Sequence, residues 1–92
     1  MITRAERYQE LLNELNGRLH AIACEEAEKL AECDQLRKVA MPDLLNRVPN
    51  TVCHQFATLL KANEQDIREQ AVARRESAHA EFQQSVLALV TR

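Results

Sequence analysis

The amino-acid sequence predicts an all-α protein, a long antiparallel helical hairpin, and three observations predict it. The 92 residues include one glycine and two prolines, too little turn chemistry to connect several strands. Both prolines, Pro42 and Pro49, lie in one stretch near the middle, MPDLLNRVPN. On either side of it apolar residues recur at steps of three and four, the period of one helix face. A chain of this length supports one core, so the expected organisation is a single helical-hairpin domain over residues 1–92.

Helix A is expected over about residues 3–40. Thr3 and Glu6 match the S/T-x-x-E capping box, which satisfies amide donors of the first turn. Ala5, Tyr8, Leu12, Leu15, Leu19 and Ile22 then line one face. From Leu19 to Leu30 the seven-residue repeat gives way to an eleven-residue step, which locally relaxes left-handed supercoiling. The stripe continues through Ala23, Ala27, Leu30, Cys33, Leu36 and Ala40. Gly17 is a weak point in the helix interior, worth about 1 kcal/mol relative to alanine.

Pro42 disfavours a helical conformation at Met41 and removes a backbone donor, so helix A is expected to stop near Ala40. The corner then covers residues 41–50, with a single turn over Asp43–Arg47. Asn50 or Thr51 is the expected cap of helix B, over about residues 51–91, whose stripe is Val52, Phe56, Leu60, Ile67, Ala71, Ala78, Phe82, Val86 and Leu89.

A fold point near residue 45 pairs positions whose numbers sum to about ninety. Tyr8 then faces Phe82, Leu12 faces Ala78, Leu19 faces Ala71, Ile22 lies near Ile67, and Leu30 faces Leu60. The middle is thin, because ANEQDIREQAVARRES meets the alanine-rich part of helix A. A two-helix seam built on alanine buries little area against the chain entropy it must overcome. The expectation is a homodimeric four-helix bundle, or a hairpin completed by another protein.

Charge names no partner. Residues 1–40 carry six basic against eight acidic side chains and residues 41–92 carry six of each, for a net charge of −2. The longest uninterrupted apolar stretch, VLALV at 86–90, falls far short of the roughly 20 residues that span a bilayer. The N-terminus lacks the apolar core of a signal peptide. The expected setting is cytoplasmic, with no membrane partner.

Few residues suggest chemistry. Cys24, Cys33 and Cys53 are odd in number and contain no C-x-x-C, which fits small buried hydrophobes better than a disulfide framework. Cys33 and Cys53 are nearly equidistant from residue 43, so a slightly shifted fold point would bring them close enough to oxidise. His20 and Cys24, four apart, share a helix face but supply two of the four ligands that structural zinc needs. His54, beside Cys53, lies many turns from that pair, and His79 sits between alanines. No metal site and no cofactor is predicted. Glu25, Glu26 and Glu28 read as a solvated face, and no Gly-rich loop or G-x-S-x-G motif supports a pocket, so the chain is not expected to be an enzyme.

Two surfaces remain as binding candidates. In the expected register Arg18 falls near Arg74 and Arg75, with Arg68 one to two turns away, a modest patch for a nucleic-acid-binding regulator. Glu14, Glu69 and Glu76 would cancel part of its field, and no aromatic residue is interleaved for base stacking. The stronger signal is the terminal segment FQQSVLALVTR. Phe82, Val86 and Leu89 serve the seam, Leu87 and Val90 point to a neighbouring sector, and Leu11 adds a second-face residue near the other end. That widened stripe predicts a small interaction module, of adaptor, chaperone-like or inhibitory type. It would bind itself, another protein, or both through an amphipathic face.

Overall fold

The computed structural model describes residues 1–91. Helix α1 runs Arg4–Arg47 and helix α2 runs Asn50–Val90, and no strand occurs among the described residues. The all-α, two-helix expectation holds. Contacts divide the chain into two compact units, each built from both helices. One comprises residues 1–24 with the chain from Ala71 onward; the other comprises residues 25–70 and contains the turn.

Helix α1 begins as its sequence dictates. The Thr3 hydroxyl accepts the Glu6 amide at 3.1 Å, and the Thr3 carbonyl accepts the Arg7 amide at 3.0 Å. Thr3 is therefore the N-cap. The other end departs from expectation. Rather than stopping near Ala40, α1 carries Pro42 in its interior and ends at Arg47. A proline there costs roughly 3 kcal/mol, through one missing donor and a ring clash. Against this, Met41, Leu44 and Val48 are half-buried, and a fully buried apolar side chain is worth about 1.5–3 kcal/mol. Three partial burials offset the penalty. The Asn46 amide also donates to the Pro42 carbonyl at 3.3 Å, and Arg47 pairs with Asp43 at 2.7 Å one turn away.

Pro49 opens α2. Its carbonyl accepts the Val52 amide at 3.0 Å and the Cys53 amide at 3.3 Å, so the cap lies one or two residues before the expected Asn50 or Thr51. At a helix start the missing proline donor costs nothing and the fixed φ is already suitable. The corner thus shrinks from residues 41–50 to Val48 and Pro49.

Moving the turn three residues along the chain shifts the partners in the turn-bearing unit by about twice that number. In the turn-bearing unit, the Asn63 amide contacts the Cys33 sulfur at 3.5 Å, where the expected register placed residue 57. Arg37 pairs across the seam with Glu64. In the other unit, the Tyr8 and Phe82 rings meet as expected, 6.1 Å apart and tilted by 53°. Ala78 lines a hollow there together with Leu11 and Leu15.

The eleven-residue step expected at one place recurs along both helices. Leu11, Ile22 and Cys33 are buried and Leu44 is half-buried, each eleven residues after the last. In α2, Leu60 and Ala71 are buried and Phe82 is half-buried at the same interval. Eleven residues in three turns give about 3.67 per turn, close to the relaxed helix. The stripe therefore stays on one side of each helix with little supercoiling demanded of it.

Two substitutions test these helix assignments. A Cβ at Gly17 would meet nothing within 4 Å, so Gly17→Ala is expected to raise unfolding free energy by about 1 kcal/mol in urea titration. Pro42→Ala restores a donor inside α1 and is expected to stabilise by about 1–2 kcal/mol after the looser unfolded chain is counted. A loss of stability in either variant would contradict the continuous helices.

Candidate interaction site

In the unit built from the two chain ends, the core is Leu11, Leu15, Ile22, Ala71 and Ala78, all buried. Leu11, at 7 % exposure, belongs to this core and leaves the outward-facing set in which the sequence placed it. Adjacent residues on a helix point about 100° apart, and of the pair Leu11 is buried while Leu12 is half-buried. Phe82, Val86 and Leu89 are half-buried along the same seam. Leu87 and Val90, exposed by 62 % and 70 %, are the two predicted anchors that present a free apolar surface. They are three residues apart and so neighbours on α2.

The turn-bearing unit carries a second apolar surface that the periodic reading missed. Its core is Cys33, Cys53 and Leu60, whereas Leu36, Val39, Leu45, Val52 and Leu59 are exposed, Leu59 by 70 %. The signal lay in the doublets Leu44–Leu45 and Leu59–Leu60, since a helix can turn only one leucine of each inward. Leu36 follows Cys33 by three residues and Leu59 precedes Asn63 by four. Each therefore lies about one helical turn closer to the loop than the Cys33–Asn63 contact. Val52, half-buried Phe56 and Leu59 follow one another at steps of four and three, on one side of α2.

Polar groups key this unit. Arg37 bridges Asp34, at 3.5 Å, and Glu64, whose side chain is only 15 % exposed. A hydrogen bond and charge from Lys38, 3.0 Å away, together with Arg37, hold the Asp34 carboxyl below its ordinary value of 3.8. Whatever stability this adds is present above that ordinary value and is lost as pH falls through the lowered one. Asp34 is solvent-exposed, so the effect is small.

All three cysteines are free thiols. Cys33 and Cys53 are both buried, but Cys33 lies beside Asn63, ten residues from Cys53 along α2, or about 15 Å of helix rise. The register that would have let them oxidise is not the one adopted. His20 and Cys24 meet on the exposed side of α1, with Sγ and Nε2 3.5 Å apart. Among the described residues no three His, Cys, Asp or Glu side chains converge.

Of the four arginines, Arg18 and Arg74 come together as expected. Arg18 pairs with Glu81 and shares a shallow hollow of about 180 Å³ with Arg74, Ala21, Ile22 and Ser77. Arg75 is half-buried, and Arg68 belongs to the other unit. Glu14, expected to damp the Arg18 field, lies 3.9 Å from Arg7 and lines one hollow with Arg18. No helix among the described residues is long and apolar enough to cross a membrane. Comparison with protein-family models, with curated proteins and with solved structures finds no match.

The cross-seam pair gives a direct check on register. In a double-mutant cycle, Arg37→Ala and Glu64→Ala are expected to show a coupling of about 1 kcal/mol. Costs that add to within about 0.3 kcal/mol would mean that the two side chains do not meet.

Proposed function

We propose that this chain is a protein–protein interaction module that works by completing a helical bundle, and that its first partner is a second copy of itself. Surface area carries the reading. A folded monomer of 10.5 kDa typically exposes about 5,400 Å², whereas this chain exposes 7008 Å². The surplus is about 1,600 Å² per chain, so two chains covering it on each other would bury about 3,200 Å², inside the range of obligate homodimers.

Chemistry supports the same partner. The exposed large apolar residues include Leu36, Val39, Val52, Leu59, Leu87 and Val90, and a net charge of −2 is too small to keep two copies apart. In this reading the Leu36–Leu59 surface and the Leu87–Val90 surface are covered by helices of the second copy, and the bundle then serves as an adaptor or regulator without catalysing a reaction. Three free thiols fit a reducing, cytoplasmic setting. The Glu81 carboxylate on Arg18 weakens the case for nucleic acid as the partner.

Sedimentation equilibrium tests the proposal. The wild-type chain is expected at twice 10.5 kDa. Leu36→Asp with Leu59→Asp is expected to weaken association by about a hundredfold or more, since each leucine withdrawn from an interface forfeits about 1.5–3 kcal/mol. Helicity should be retained, both side chains being exposed in the single chain. A wild-type mass of 10.5 kDa across the accessible concentration range would contradict self-association.

A further inference from the structure

We propose that His20 and Cys24 form a two-donor chelate for a borderline divalent cation of the zinc class. The inference is independent of the oligomeric state. The two side chains lie one helical turn apart on the exposed side of α1, and their Sγ and Nε2 atoms are already 3.5 Å apart. Zinc binds thiolate sulfur at about 2.3 Å and imidazole nitrogen at about 2.0–2.1 Å, so at a tetrahedral angle the two donors stand about 3.5–3.6 Å from each other. The observed separation matches that bite. Both donors sit on one helix, so little backbone entropy remains to be lost when the ion binds.

In the metal-free chain the same contact is a weak hydrogen bond shared between thiol and imidazole. Binding replaces the shared proton. The cation accepts electron pairs from the thiolate and from Nε2, the thiol proton leaves to solvent, and the imidazole keeps its proton on Nδ1. Two coordination positions remain for water or for a donor from a bound molecule, which makes this an exchangeable site unlike a closed structural one. The pair lies one turn beyond Gly17, where a Cβ would meet nothing within 4 Å. A metal bridge from residue 20 to residue 24 therefore clamps α1 next to the glycine in its interior.

Titration of the reduced full-length chain with Co²⁺ tests this directly. The expected result is a thiolate-to-cobalt charge-transfer band with visible bands of four-coordinate intensity, saturating at one ion per chain. Cys24→Ser should abolish the charge-transfer band. His20→Ala should weaken binding by about tenfold or more, because losing even an outer partner of a metal ligand costs that much. Cys33 and Cys53 remain in both variants, so any band they generate is separated from that of Cys24. Both substituted positions are exposed, and circular dichroism verifies that helix content is unchanged. An absent band in the wild type, a band of equal intensity in Cys24→Ser, or His20→Ala affinity within about threefold of wild type would overturn the assignment.

Discussion

The structure depends on a stripe that each helix turns inward only once in every three or four residues. Leu11, Leu15, Ile22, Cys33, Cys53, Leu60, Ala71 and Ala78 are its buried members. They mix full-sized apolar groups with cysteine and alanine, and small side chains let helix axes approach toward the short end of the usual 8–10 Å. Close approach allows good packing with little area. The same constraint explains why polar groups reach the seam, as with Cys33 and Asn63 and with Arg37 and Glu64. A narrow apolar stripe is tolerant of sliding, and such pairs penalise a slipped register by leaving a partly buried polar group without its partner.

Much of this was legible in the sequence. Scarcity of glycine and proline together with helical spacing gave two helices, and the Thr3 cap lies where the S/T-x-x-E pattern puts it. The Tyr8–Phe82 pairing was also readable. The turn is not legible there, because local proline chemistry points one way and tertiary burial decides the other. Pro42 is unfavourable in a helix taken alone, but the stripe continues through Met41, Leu44 and Val48, and half-burying them keeps α1 intact. The misplaced turn then carried its error into the cross-seam partners of Cys33 and into the approach expected of Cys53.

The candidate surfaces were only partly legible for a related reason. Periodicity identifies which residues lie on one face, but the facing direction of each leucine doublet is fixed by the register across the seam. Periodicity alone therefore turns Leu11 outward although it is core, and does not single out Leu59, which is among the most exposed apolar side chains. Once the seam is placed, the remaining apolar groups fall into two exposed sets, one on each compact unit. A seam this narrow buries some of the large apolar side chains and leaves others for another surface. That division of labour is the physical basis on which the bundle-completing role is proposed.

The antiparallel return of α2 along α1 is the premise of every contact described, and a single intrachain distance tests it. A donor and an acceptor dye placed at Asn13 and Gln83 through unnatural side chains leave the three thiols untouched. Dilution with unlabelled chain restricts transfer to one molecule. Helices packed side by side place these positions within roughly 20–25 Å, given an interaxial distance of about 8–10 Å and the reach of the linkers. Efficient transfer at that distance is the result predicted. A separation near 105 Å, the rise of about 1.5 Å over each of the intervening residues of an unbroken helix, would contradict it.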